Sequence, residues 1–239
     1  MIFFLELTFI FFMGCILGYL LELFFRRIVH KKWINPGFLV GPWLPLYGCG
    51  LTALFVVCSF DYSFIPSPVF EKVFVIALIA LLMTLIEYIT GLIFIKGMNV
   101  KLWDYSSRPG NIQGIICPLF SFFWAVIGAV YYLFVHDAVV VAAEWLCSNL
   151  QYSFFVGIVF GLFFVDVCYS FHVVTKIRSW AKEHATVVKY EELKLSIRKR
   201  AEEMKQKHNF VLPLRSPKTL LEELKHYAET HQEKRNKRK

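Results

Sequence analysis

The chain alternates between long apolar runs and short polar segments, and this pattern predicts its main elements. A bilayer core of about 30 Å requires about 20 apolar residues of helix, so five runs are long enough to cross it. With 57% apolar and 18% charged residues in a chain of 239, an ordinary soluble domain is excluded. The pattern predicts an all-α, polytopic membrane helical bundle with about five transmembrane helices, at residues 2–25, 38–60, 73–95, 112–135 and 152–175.

One polar interruption is rich in residues that break helices. Residues 33–48 contain three prolines and three glycines, and irregular backbone at a membrane has to pack in protein or line a wet cavity. A weaker copy lies downstream, because the seven-residue spacing from asparagine to proline occurs in both Asn35–Pro42 and Asn111–Pro118. This spacing predicts a tandem helix–motif–helix repeat, with repeat one at 1–60, repeat two at 70–135 and a separate fifth helix at 152–175.

The distribution of basic residues predicts the orientation of the chain. The loops after the first and third runs are basic, whereas the loops at 61–72 and 136–149 carry one Lys between them and no Arg. Positive residues favour the cytoplasmic side, so we expect the N-terminus outside the cell and the C-terminus in the cytoplasm. The basic loop residues are Arg26, Arg27, Lys31, Lys32, Lys96, Lys101 and Arg108.

Residues 176–239 differ in composition from the transmembrane bundle, which we place at 1–175. They contain 18 Lys or Arg and 9 Asp or Glu, a net charge of +9. Apolar residues at helical spacing between Val187 and Ile197 predict one helix, and Ser216-Pro217 is typical of the start of a second. The sequence therefore predicts a basic cytoplasmic helical tail. The tail either lies near anionic lipid headgroups or docks on a partner, and its interleaved Glu residues disfavour nucleic acid.

The six cysteines are scattered along the chain without a closely spaced pair. Most lie within or beside apolar runs, where cysteine behaves as a small hydrophobic residue. Neither a disulfide framework nor a zinc site is indicated, and we predict no metal and no cofactor.

Carboxylates inside apolar runs are candidate functional residues, because burying a charge there is costly. Glu22 continues the four-residue spacing of Gly14 and Gly18, which would let another helix approach closely. Arg26 is the next residue at this spacing and can form an ion pair with Glu22 on the same helix. A structural ion pair and a functional site both remain open for Glu22 and Arg26.

Two further carboxylates lie deeper in their runs. Glu87 is nine residues from Lys96, about 13 Å along a helix, and has no cation near it in sequence. It therefore has to find a partner on another helix, be protonated or contact water. Asp166 is ten residues from Lys176, and Tyr169 and Ser170 follow at positions that can gather polar atoms beside it.

The loop at 101–114 supplies further polar candidates. Its aromatic residues suit a headgroup interface, and its polar residues could line a vestibule, so that a polar pocket forms near the cytoplasmic side. Asn35 and Asn111 have a structural alternative, which is to cap the helices that follow them. The loop candidates are Trp103, Asp104, Tyr105, Ser106 and Asn111.

Several of these motifs occur together in one known family. They are Asn-Pro-Gly-Phe-Leu-Val-Gly-Pro-Trp-Leu-Pro-Leu-Tyr-Gly at 35–48, Glu22 and Arg26 before it, and Glu87, Trp103-Asp104-Tyr105-Ser106 and Asn111-x-x-Gly114 after it. With these motifs the chain resembles a bacterial membrane family of type IV ABC-transporter permeases, over roughly residues 10–135. The resemblance implies a permease-like transporter subunit and names no substrate.

Three functions remain open at this point. A permease would need a separate ATPase, since the chain contains no G-x-x-x-x-G-K-[ST] phosphate loop, and a second membrane subunit or a homo-oligomer to complete a pathway. An intramembrane enzyme would use Glu22, Glu87 or Asp104 as acid or base on a lipid-like substrate. A membrane scaffold would hold a partner through the basic tail.

Overall fold

The apolar part of the protein is mostly helical. The computed structural model describes residues 2–31, 33, 35–184 and 186–207, with the side chains of 30 and 202–207 outside that description. Its helices are α1 (Ile2–His30), α2 (Pro45–Cys58), α3 (Pro68–Leu92), α4 (Pro118–Val130), α5 (His136–Ser148), α6 (Ser153–Glu183) and α7 (Tyr190–Lys207). Two short strands are β1 (Val100–Lys101) and β2 (Val188–Lys189). Short π-helical turns occupy Ile93–Gly97 and Tyr131–Val135, and a 3-10 turn occupies Leu150–Tyr152.

Four helical stretches among the described residues are long and apolar enough to cross a membrane. They are Ile2–Val29, Pro68–Gly97, Pro118–Ser148 and Leu150–Glu183. The predicted all-α polytopic bundle is confirmed by these helices. The fifth predicted span, 38–60, is helical only over the 14 residues of α2, which is roughly 21 Å and therefore too short to cross a bilayer alone.

The prolines of residues 35–44 explain why this segment is irregular. Proline has no N–H and disfavours helical backbone in the residue before it, so Pro36 and Pro42 prevent the helix from starting early. Pro45 takes the first helical position of α2, where the missing N–H costs nothing. The predicted span therefore consists of irregular backbone at 35–44 followed by helix α2.

Residues 1–90 and 105–172 form one compact unit. Within it α2 lies antiparallel to α1 and begins near the middle of that helix, where Leu44 N–H donates to Cys15 O at 3.2 Å. A Cβ built on Gly18 would lie 2.2 Å from Tyr47 Cβ, and one on Gly14 would lie 2.8 Å from Leu51 Cβ. The predicted close approach at the glycines is therefore made by α2.

The core of this unit joins helices α1 to α5. It contains a tightly packed group in which Gly128 of α4 admits the side chain of Ile79 of α3. A second buried group forms where the irregular segment meets α1, through Leu39 and Trp43 packed against Phe12. The larger core consists of Ile10, Leu54, Phe55, Val75, Ile79, Met83, Trp124, Tyr131, Val139 and Ala143.

Residues 91–104 and 173–239 form the second compact unit, of which 208–239 are outside the described residues. Here β1 and β2 pair in parallel, with Val100 opposite Val188, and Val188 N–H donates to Asn99 O at 3.0 Å. The first predicted tail helix is present as α7. The second, predicted from Ser216-Pro217, lies outside the described residues, and the predicted division at residue 175 stays a prediction.

Candidate functional site

Glu22 is held by two partners on two helices. On α1, Arg26 Nε donates to Glu22 Oε1 at 3.1 Å, one helical turn away. From α2, Tyr47 Oη donates to Glu22 Oε2 at 3.1 Å, which is possible because Gly18 lets the Tyr47 ring lie against α1. The Glu22 side chain is 23% exposed. The carboxylate therefore has a cation, a neutral donor and some access to surroundings.

Glu87 is held differently, by two neutral donors. Trp124 Nε1 on α4 donates to Glu87 Oε2 at 3.0 Å, and Tyr105 Oη on the loop before α4 donates to Glu87 Oε1 at 3.1 Å. Glu87 is 2% exposed, and no cation contacts it among the residues the structure describes. Phe120 stacks on Tyr105 with 4.2 Å between ring centres and 9° between planes, which fixes the tyrosine ring beside the carboxyl group.

The two glutamates are connected by an aromatic pair. The rings of Tyr47 and Trp124 lie 5.4 Å apart, and each ring carries the donor that holds one glutamate. Because Trp N–H and Tyr O–H groups usually find partners when buried, this pairing satisfies the aromatic residues as well as the carboxyl groups. We call the set Glu22, Arg26, Tyr47, Glu87, Tyr105 and Trp124 the glutamate–aromatic cluster.

Asp166 holds the irregular segment to α6. Val40 N–H donates to Asp166 Oδ1 at 3.1 Å and Gly41 N–H donates to Asp166 Oδ2 at 2.7 Å. Ser170, one turn along α6, also donates to Oδ1 at 3.1 Å. Two consecutive N–H groups directed at one anion form a small anion-binding arrangement in the backbone. Ser170 is thus gathered beside Asp166 as predicted, whereas the Tyr169 side chain is 49% exposed.

The prediction that Asn35 and Asn111 cap helices is wrong. The helices begin later, at Pro45 and Pro118, after Leu44 and Cys117, which make no side-chain capping bond. The proline at each start fixes the first turn, and the asparagines lie too far upstream to reach it.

Both asparagines instead brace turns of irregular backbone. Asn35 Oδ1 accepts Gly37 N–H at 2.8 Å, and its amide group donates to Leu39 O and Val40 O, both at 3.1 Å. Asn111 Oδ1 accepts Gly114 N–H at 3.0 Å. The Asn111 amide group donates to Arg108 O at 2.8 Å and to Ser106 O at 3.3 Å. The role of Ser106 here is that of a backbone acceptor.

The remaining loop candidates, Trp103 and Asp104, lie in the second unit. Asp104 accepts from Lys101 Nζ at 2.6 Å and from Lys189 Nζ at 2.9 Å, and Lys189 also pairs with Glu192 at 3.4 Å. The hydrogen bond to Asp104 raises the pKa of Lys189 above its ordinary value. Asp104 therefore joins the loop after α3 to the start of the tail, a role that the sequence analysis did not anticipate.

Sequence reasoning missed Tyr47 and Trp124. Tyr47 stood inside the proline-rich motif, and Trp124 lies six residues after Pro118. A usable signal was present, since a buried carboxyl group without a cation needs N–H or O–H donors, and these two residues offer them from apolar helices.

One surface cleft in the first unit has a volume of about 390 Å³. It lies between the start of α1 and the start of α6, and its lining is apolar apart from Thr8 and Ser153. None of the predicted candidates lines it. The predicted polar pocket therefore stays a prediction.

The four helices that are long and apolar enough to span a bilayer define an α-helical membrane protein. The family model described as "Putative ABC-transporter type IV" matches residues 9–171, which is 163 of 239 residues. The chain therefore belongs to this family. The match includes the whole glutamate–aromatic cluster and Asp166, and it ends before the basic tail. No curated protein matches the chain. No solved structure matches it either.

Proposed function

We propose that this chain is a permease-like subunit of an ABC-type transporter, and that it works with a separate ATPase and a second membrane chain or copy. Family membership supports the transporter class. The observation that carries the proposal is the irregular segment 35–44, packed between helices and anchored to Asp166, next to a cluster of carboxyl and aromatic groups. Discontinuous helices with irregular backbone are typical of transport sites in membranes.

The proposed pathway starts on the cytoplasmic side and includes the glutamate–aromatic cluster. The basic loops after α1 and α3 favour a cytoplasmic position for the segment at 33–44 and for the loop that contains Tyr105. On this proposal the segment 35–44 together with α2 makes one crossing of the membrane. The N-terminus then lies outside and the C-terminus inside.

The orientation has a direct test. A single cysteine at Ser63, in the loop between α2 and α3, should react with a membrane-impermeant reagent added outside intact cells. A matched cysteine at Ser107, on the exposed turn after Tyr105, should react only after permeabilisation. The opposite pattern would overturn the orientation, and reaction of both from the same side would remove the crossing by 35–58.

The transporter assignment is tested by purifying the full-length chain from native membranes in mild detergent. An ATPase subunit that co-purifies in fixed ratio, and whose ATP hydrolysis depends on this chain, is the expected result. Glu87→Gln should keep the complex intact and lower the ATP hydrolysis that depends on this chain at least about tenfold. Glu144→Gln, at an exposed position on α5, is the control. A stoichiometric bound lipid without any ATPase would instead favour an intramembrane enzyme.

A further inference from the structure

We propose that Glu87 is a reversible proton-binding site, in which the Tyr105 hydroxyl changes from hydrogen-bond donor to acceptor when the Glu87 carboxyl group takes up a proton. The inference deepens the function proposed above by naming the ion that this site exchanges. Its role in transport rests on that function, but proton binding itself can be measured without transport.

The two partners of Glu87 differ in what they can do. Trp124 Nε1–H can only donate, so Glu87 Oε2 has to accept this 3.0 Å bond, a role that a carbonyl oxygen fills better than a protonated one. Tyr105 Oη has a rotatable hydrogen and acceptor lone pairs. At 3.1 Å it can donate to a charged Oε1 or accept from a protonated Oε1 without moving either oxygen.

The proton balance is simple. One proton from solvent forms an O–H bond at Glu87 Oε1, and the charge of the carboxyl group changes from −1 to 0. Tyr105 keeps its own proton and only rotates its O–H bond away from Oε1. Burial raises the pKa of Tyr105, so the tyrosine does not lose its proton in exchange. The Phe120 stack holds the ring in place, so that only the hydrogen has to move.

Opposing effects favour the charged carboxylate and the neutral acid of Glu87. The carboxylate is stabilised by two hydrogen bonds, whereas a buried charge without a contacting cation is costly. The titratable or charged groups around Glu87 in the described part of the chain are Tyr105 on the loop, Tyr47 on α2, and Glu22 with Arg26 on α1. Of these, Arg26 is already paired with Glu22.

Tyr105 also offers the connection to solvent. The next five residues, 106–110, are all exposed, while Tyr105 itself is half-buried and reaches Glu87 with its hydroxyl group. The site is thus buried on the helix side and adjoins an exposed turn on the loop side. This arrangement fits a site that exchanges a small ion such as a proton.

The test is a pH titration of the purified full-length chain by infrared difference spectroscopy, which detects the C=O stretch of a protonated carboxyl group. A carboxylic acid band should be present at low pH and disappear in a single step between about pH 4 and pH 10. The other 17 Asp and Glu side chains titrate as well, so the Glu87 band is the part of the acid signal that is lost in Glu87→Gln, and this part should remain in Glu22→Gln. A band that stays at every pH, that never appears, or that disappears with Glu22→Gln would overturn the proposal.

Two variants test the different roles of the partners. Trp124→Phe removes the donor to the carbonyl oxygen of the acid, so the band should move to higher wavenumber. Tyr105→Phe removes a charge-assisted hydrogen bond from the carboxylate and a weaker neutral one from the acid, so the band should persist about one pH unit higher, a tenfold change in proton binding. Identical midpoints in Tyr105→Phe and the parent would contradict the donor–acceptor switch.

A control for folding accompanies each of these variants. Each variant is compared with the parent by size-exclusion profile and helical circular dichroism, and the spectra count only for folded protein. A band that titrates as expected in a chain without any ATPase dependence would leave the proton site standing and remove the transporter assignment. A chain that transports without such a band would leave the transporter assignment standing and overturn the proton site.

Discussion

Glu22 and Glu87 are alike in position and different in chemistry. Each lies on the first helix of a predicted repeat copy and accepts a bond from an aromatic side chain on the second helix, Tyr47 for Glu22 and Trp124 for Glu87. Glu22 has a cation, Arg26, and is partly exposed, whereas Glu87 has neutral donors and is 2% exposed. A similar arrangement therefore gives Glu22 a cation as a partner and gives Glu87 two neutral donors.

The irregular segments of the two predicted copies can be compared in the same way. In both, an asparagine accepts a glycine N–H and braces the turn that precedes a proline-started helix. The first segment is also anchored to α6, where the backbone N–H groups of Val40 and Gly41 donate to Asp166. The first predicted copy thus has an additional backbone anchor, and on our proposal the second contains the proton-binding Glu87.

The largest effect should come from separating α1 and α2, on which the first copy depends. Gly18→Ala places a methyl group against Tyr47 Cβ, and we expect a loss of about 1–3 kcal/mol of stability or a failure to accumulate. Gly161→Ala on α6 is the matched control, because no atom lies within 4 Å of a Cβ built there. Thermal unfolding in detergent measures both. Equal unfolding temperatures would show that close α1–α2 packing does not limit stability.

The second prediction compares the glutamates directly. Glu87→Gln should accumulate like the parent and lose at least about tenfold in partner-dependent activity, because the amide cannot exchange a proton. Glu22→Gln should lose less activity, since Tyr47 can still donate to the amide oxygen and Arg26 retains access to its surroundings. If Glu87→Gln fails to accumulate, Glu87 serves assembly. If it is fully active, Glu87 is a neutral hydrogen-bonding group only.

The third prediction addresses the anchor of the first segment. Asp166→Asn leaves one of the N–H groups of Val40 and Gly41 facing another donor, so the local free energy of opening should fall by about 1–3 kcal/mol. Amide hydrogen exchange of residues 37–41 measures this opening. Ser170→Ala is the control, since it removes one bond from Asp166 and leaves both backbone contacts. Unchanged exchange in Asp166→Asn would show that packing of Leu39 and Trp43 suffices.

The smallest effect concerns the second unit and is pH-dependent. Because the hydrogen bond to Asp104 raises the Lys189 pKa above 10.5, the charged lysine stabilises the pairing of β1 and β2 fully below that ordinary value. The contribution is lost as pH rises through the raised pKa. A spin label at Val187 should therefore be immobile near neutral pH and become more mobile only above pH 10.5.

The matched variant for this prediction is Asp104→Asn, which removes the carboxylate partner. Its spin label should be more mobile than that of the parent already at neutral pH, and its mobility should respond less to alkaline pH. A label whose mobility is the same in both proteins at every pH would show that the backbone pairing of β1 and β2 holds the tail without the ion pair.

Length and apolar content alone determined the membrane class and most helices, because a helix that meets lipid has to be apolar along its whole length. The sequence also singled out the proline-rich segment, since proline acts on its own backbone and on the residue before it. Glu22–Arg26 was equally local, being one turn apart on a helix. What failed was the helix start after each asparagine, where Pro45 and Pro118 outweighed a capping residue farther upstream.

Only the tertiary structure decided which residues form hydrogen bonds with the carboxyl groups of Glu87 and Asp166. Tyr105 and Trp124 reach Glu87 across 18 and 37 residues of sequence, and Gly41 reaches Asp166 across 125. Such contacts follow from which helix faces meet, and apolar runs that are hydrophobic on all sides do not specify those faces. The sequence thus placed the charges that need partners, and the packing of the helices chose a cation for one glutamate and neutral donors for the other.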